Sequence, residues 1–180
     1  MKRVFLMLLC AVAAIPVAAQ VKNDAGGDKN PVVTAARKIL DRQSRNLSQA
    51  ADEMPPGDYS FKPTTQQMAF SELVGHIAES NQFLCAKLAG MEPPKEDEGA
   101  AKAPKETLVK ALKASFAVCT ATLEKLEDTD LGQPITMWGG RSGTKAAALF
   151  SLTNDWADHY SAAAMYLRLK GLLPPTAKKN

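Results

Sequence analysis

The sequence predicts an all-α fold, a single four-helix bundle, on three observations. Four long segments carry apolar residues at spacings of three and four. Proline and glycine punctuate the chain between them, and no segment reads convincingly as a strand. The length of 180 residues suits one domain with a substantial core and is too short for two comfortable ones.

The N-terminal residues read as an export signal rather than as part of the fold. Met1-Lys2-Arg3 is basic, Val4 to Ile15 is almost wholly apolar, and Val17-Ala18-Ala19 places small residues before a cut at Gln20. Residues 1–19 are therefore expected to be a signal peptide, with the mature chain periplasmic or secreted. The apolar run is broken by Pro16 and is too short to remain as a membrane anchor. Leu8-Leu9 before Cys10 lacks the small residue that a lipoprotein signal requires. Residues 20–30, with Gly26-Gly27 and several polar residues, are expected to be a flexible lead-in. The bundle should then occupy residues 31–175, followed by a tail at 176–180.

The first helix is predicted from Pro31, which suits the first helical position, with Asn30 as its N-cap. Its apolar face is Val33, Ala36, Leu40, Leu47, Ala51 and Met54, and Pro55-Pro56-Gly57 stops it. In the connector that follows, Tyr59 and Phe61 are expected to pack. The second helix runs from about Met68 to Ala89, with Phe70, Leu73, Ile77, Leu84 and Leu88 inward and Gly90 ending it. Met91 to Pro104 is a long solvated loop rich in Pro, Glu, Asp, Lys and Ala. The third helix spans roughly Lys105 to Leu126, with Leu108, Leu112, Phe116, Cys119, Leu123 and Leu126 on its face. Leu131 to Gly143 is read as another connector. The fourth helix begins near Thr144 and ends by Lys170, before Gly171 and Pro174-Pro175.

Composition narrows the function. The formal charge is +3, and removing Lys2 and Arg3 with the leader leaves +1, too little for strong electrostatic attraction to nucleic acid. The sparse aromatic content offers few platforms for stacking bases. Gly139-Gly140-Arg141-Ser142-Gly143-Thr144-Lys145 has no preceding strand and not the spacing of a phosphate-binding loop. Cys85 and Cys119 remain after leader removal. An oxidising compartment permits them to pair where geometry allows, and the alternative is two small core residues without chemistry. They lack the C-x-x-C spacing of a reactive redox pair.

The residues that point to chemistry are His76, Asp155 and His159. On a wheel at 100° per residue, Leu149, Leu152, Trp156, Ala163, Tyr166 and Leu167 define the inward stripe of the fourth helix, and Asp155 and His159 lie within it. A carboxylate and an imidazole one turn apart and turned inward are costly unless something satisfies them. That something is a metal ion, a third side chain, or each other. His76, one of only two histidines in the chain, sits at the border of the second helix's apolar stripe. Two imidazoles and a carboxylate suit Zn²⁺, Ni²⁺, Mn²⁺ or Fe²⁺ and leave open positions at the ion, from which water is activated or a thiol or carbonyl polarised. The bland reading is a half-buried histidine and an i,i+4 ion pair. Asn154, Asp158 and Tyr160 are candidates for supporting contacts.

Three segments resemble the DinB/YfiT-like family of metalloproteins: Tyr59-Ser60-Phe61-Lys62-Pro63-Thr64, Glu72-Leu73-Val74-Gly75-His76-Ile77-Ala78, and His159 followed by Tyr166 to Pro175. With the helix order, the resemblance covers essentially all of the chain after the leader. It implies a four-helix bundle whose metal site is three histidines, one on the second helix and two at H-x-x-x-H spacing on the fourth. His76 and His159 match the first and last of these, and Asp155 stands at the middle position. Where the family commonly has Arg-Gly-Gln after its last ligand, this chain has Tyr160-Ser161-Ala162. The resemblance further implies transferase or isomerase chemistry with small thiols in some members, and often a homodimer.

Two function classes follow. One is an exported divalent-metal-dependent enzyme with transferase- or hydrolase-type chemistry on a small molecule. The other is a metal-free bundle that binds a small apolar ligand or a partner protein.

Overall fold

The computed structural model describes residues 27–95 and 102–178. The expected signal peptide and most of the expected lead-in lie outside these residues. Four helices carry the fold: α1 (Pro31–Glu53), α2 (Phe70–Ala89), α3 (Lys105–Lys125) and α4 (Lys145–Leu169). Each expected apolar stripe is buried, from Val33 to Met54 on α1 to Leu149 to Leu167 on α4, and the stripes merge into one core. Tyr59 is buried as expected, and Phe61 packs against the same core. No helix among the described residues is long and apolar enough to cross a membrane.

The helices form a ring in which α1 and α2 each pack on both α3 and α4, leaving α1 and α2, and α3 and α4, across the diagonals. Paired residues fix the directions. Asn81 bonds Ser115 and Cys85 joins Cys119, so α2 and α3 run parallel. Phe70 meets Tyr166 and His76 meets His159, so α2 and α4 run antiparallel. Parallel neighbours need a connection that returns the length of the bundle. Twenty residues of α2 rise about 30 Å, which accounts for the long stretch between Gly90 and Pro104.

Helix ends are closed largely by distant residues. Asn30 does not cap α1 with its side chain. The Asp128 carboxylate accepts instead from the N–H groups of Val32 (2.9 Å) and Val33 (2.8 Å), while the Asp128 N–H donates to Asn30 Oδ1. Arg37 of α1 returns the favour in kind, donating to the C-terminal carbonyls Leu123, Glu124 and Leu126 of α3. At the opposite end Lys105 of α3 donates to the carbonyls of Asp52 and Met54, which close α1. Free N–H and C=O groups at helix termini need partners, and these three contacts supply them while locking α1 antiparallel to α3. At Gly90 (φ 71°) the chain takes the left-handed turn expected of glycine, and the Met91 N–H bonds back to Ala86 O.

The connector after α3 is not wholly irregular. β1 (Pro134–Thr136) and β2 (Ser142–Thr144) pair antiparallel, with Ile135 opposite Gly143. Strands of three residues are too short to display an alternating pattern, so the hairpin is invisible to periodicity. Gly139 and Gly140, both at positive φ, make its turn.

Cys85 and Cys119 are disulfide-bonded, with Cα atoms 5.3 Å apart and both residues fully buried. This settles the alternative left open by the sequence in favour of a covalent tie between α2 and α3. Replacing both cysteines with serine is expected to lower unfolding free energy by about 3 kcal/mol, measured by urea denaturation. Asp128→Ala should cost about 1–2 kcal/mol in the same assay, whereas Asn30→Ala, which removes only a support of Asp128, should cost less.

Candidate metal centre

The centre lies in the seam between α2 and α4. Three aromatic contacts and two hydrogen bonds set the near end of that seam. Tyr166 of α4 donates to Met68 O at 2.6 Å and packs against Phe61 and Phe70, and Tyr59 meets Phe70 edge-on while donating to Ala51 O at 2.7 Å. Burial pushes the Tyr59 and Tyr166 phenols up from their ordinary range, so both remain donors. The first turn of α2 is held by Glu72, whose carboxylate accepts from the Ala69 N–H at 2.6 Å and pairs with Lys62 at 3.2 Å. Those two partners, the N–H first, hold the Glu72 carboxyl below its usual range. The connector and the end of α4, which carry two of the three family-like segments, are thus one packed cluster beside the site.

His76, Asp155 and His159 come together as the wheel predicted. One ligand atom from each lies within 4.8 Å of the others, and all three residues are half-buried. The two imidazole rings meet edge to face with centroids 4.9 Å apart. His159 Nε2 approaches Asp155 Oδ1 to 3.1 Å. That approach is an i,i+4 ion pair when the imidazole is protonated, although it forms no hydrogen bond at Nε2, and Asp155 Oδ2 has no partner among the described residues. The i,i+4 pair of the bland reading is therefore present, but it engages only one carboxylate oxygen and leaves Asp155 Oδ2 without a partner among the described residues.

A carboxylate with one buried, unpartnered oxygen and two imidazoles gathered beside it fit a divalent ion. Nitrogen and carboxylate oxygen bind such ions at about 2.0–2.2 Å, and donor atoms within 4.8 Å of one another are near enough to be drawn onto one ion. The donor set suits borderline ions such as Zn²⁺, Ni²⁺, Mn²⁺ or Fe²⁺. His76 has one further contact, Ser80 Oγ at 3.5 Å from Nε2. The supporting residues expected from sequence lie elsewhere: Asn154 and Asp158 are exposed, and the Tyr160 hydroxyl is bonded to Thr176 at 2.8 Å.

A cleft of about 770 Å³ opens on the His76 side, lined by Glu79, Ser80, Phe83, Pro94, Leu108 and Trp138 among others. Phe83 and Trp138 stack face to face at 4.2 Å, so the hairpin's turn forms part of the wall. Sequence reasoning missed this wall, because nothing local signals that Trp138, in a connector, comes back to α2. The spacing of His76, Glu79, Ser80 and Phe83 on one helical face was the available clue.

Comparison with known proteins agrees with the architecture. The sequence matches the DinB superfamily over residues 39–160, more than half of the chain, and the chain belongs to that superfamily. No curated protein sequence matches it. Among solved structures it is similar to a DinB-like protein from Bacillus subtilis (21% identity, TM-score 0.64, covering 81% of this chain and 99% of that one). A conserved protein from Enterococcus faecalis gives the same identity and TM-score, with 77% and 96% covered. A mycothiol-dependent maleylpyruvate isomerase is similar at 13% identity and TM-score 0.60, over 72% of this chain and 59% of that one. At these identities the likeness is one of fold.

In the presence of a chelator, exchanging Asp155 and His159 together for leucine should leave unfolding free energy unchanged or raise it by about 1–3 kcal/mol, since apolar packing replaces a largely buried and incompletely hydrogen-bonded ion pair. Denaturation in urea checks this. A marked loss of stability would mean that the two side chains are already satisfied without an ion.

Proposed function

We propose that the chain is an exported, divalent-metal-dependent enzyme that carries out transferase- or hydrolase-type chemistry on a small molecule. The observation that carries the reading is the convergence of His76, Asp155 and His159 at the α2–α4 seam, where the buried Asp155 Oδ2 lacks a partner among the described residues. Buried polar groups without partners are costly, and a ligand ion removes that cost. When bound, the ion supplies Lewis acidity toward an oxygen or sulfur of the small molecule.

The protein's own residues supply the rest. His76, Asp155 and His159 hold the ion from one side and leave the cleft side open. The apolar wall of Phe83, Leu108 and Trp138 receives the body of a small organic molecule and excludes water from it. Glu79 lines the same wall with no partner among the described residues and is placed to accept a hydrogen bond from that molecule. Likeness of fold to a mycothiol-dependent isomerase supports chemistry on a small molecule, without specifying which. Export is supported by the leader-like residues 1–19 and by the Cys85–Cys119 disulfide, a bond that persists in oxidising compartments.

The metal-free reading, a bundle whose cleft binds an apolar ligand, shares the cleft and keeps the Asp155–His159 ion pair, but leaves Asp155 Oδ2 without a partner among the described residues. Melting temperature with and without added Zn²⁺, Ni²⁺ or Mn²⁺ separates the two. Since an ion that binds only the native state stabilises it, loading at one hundred times Kd should add about 2.7 kcal/mol. The rise should vanish in His76→Ala and in the Asp155→Leu/His159→Leu double variant. Elemental analysis of untagged protein should find one equivalent of metal. No bound metal after reconstitution, together with no shift in melting temperature, would leave the metal-free reading standing.

A further inference from the structure

Asn81 sits at the middle of α2 with none of its surface exposed. Its Oδ1 accepts from Trp156 Nε1 at 2.6 Å, its Nδ2 donates to Ser115 Oγ at 2.9 Å, and that hydroxyl donates onward to Leu112 O at 2.8 Å. One amide therefore ties three helices at a single level, with both ends engaged. Trp156 is also fully buried, follows Asp155 directly and precedes His159 by three residues. Asn81 lies five residues beyond His76, about 7.5 Å along the helix.

The rest of the α2–α4 contact offers little directionality near this level. Leu84 and Ile77 from α2 and Leu149, Leu152 and Ala163 from α4 are apolar, and aliphatic surfaces accept small rotations and slides because burial depends on area and not on angle. A hydrogen bond between buried groups does not, since it requires both distance and alignment. Ligand sets tolerate displacements of only about 0.5 Å. We propose that Asn81 is a positioning residue for the seam: its bond to the Trp156 indole fixes the rotation and axial setting of α4 against α2 that bring Asp155 and His159 to His76. The bond to Ser115 serves a different purpose, securing α2 to α3 one turn before the disulfide.

The metal-affinity arm of the test rests on the proposed function; the geometric arm does not. With only two histidines in the chain, ring-proton cross-peaks between His76 and His159 are readily assigned by NMR in metal-free protein. Trp156→Phe keeps an aromatic ring but loses the donor, and Asn81→Leu keeps the volume but loses the acceptor. Both are expected to abolish the His–His cross-peak and to weaken Zn²⁺ binding by about tenfold or more, read by titration calorimetry at a temperature where each variant is fully folded. Ser115→Ala and Leu47→Ala, which disturb α3 and α1, should lower the melting temperature while keeping the cross-peak and an affinity within about twofold of wild type. Retention of both signals in Trp156→Phe and Asn81→Leu, or their equal loss in the two controls, overturns the proposal. If no variant binds Zn²⁺, wild type included, but the cross-peaks still divide as stated, the metal reading fails and the positioning role stands.

Discussion

Polar groups that a helical interior must satisfy organise this molecule. Most of them are answered from far along the chain: Asp128 closes the start of α1, Arg37 the end of α3, Lys105 the end of α1, and Asn81 joins three helices through its amide. Apolar stripes alone would allow a bundle to adopt several rotations and directions. These contacts each demand one partner at one place, so they convert a greasy assembly into a single arrangement. Against that background of satisfied groups, the Asp155–His159 pair, with one carboxylate oxygen left over, stands apart.

The same seam explains why the site is where it is. α2 is the one helix that meets the disulfide, the amide network and the site along its length, and its two faces look toward α3 and α4 respectively. The face bearing His76, Glu79 and Phe83 also lines the cleft, so His76 is the residue that the site and the cleft share. The hairpin between α3 and α4 contributes by carrying Trp138 back onto Phe83.

Much of this was legible in the sequence because helical periodicity is a local property. The stripes on all four helices are buried as read, and Asp155 and His159, which the wheel placed on the inner face, do meet His76, the third candidate. What escaped was long-range. Asn30 has the composition of an N-cap, yet α1 is capped by a residue about one hundred positions away, and no local rule could name it. The three-residue strands are shorter than any alternation that periodicity can register. Asn81 did leave a trace: between Ile77 and Leu84 it fills a stripe position with the only amide there, and Ser115 does the same between Leu112 and Cys119. Two polar residues on facing stripes are a readable sign of a buried bond, although the third member, Trp156, is an ordinary core residue until its N–H is counted.

The parallel course of α2 and α3 has a topological consequence when combined with the disulfide. Cys85 precedes the crossover between Gly90 and Pro104, and Cys119 follows it. The sulfurs thus close a covalent ring around the whole crossover. A protease that cut once anywhere within it would open the ring yet release nothing, and the molecule would remain one piece until a reductant arrived. A cut before Phe70 would instead leave α1 with no covalent link to the rest, and one after Lys125 would do the same to α4. Of the three joints between helices, only the one encircled by the disulfide can be severed without dividing the protein.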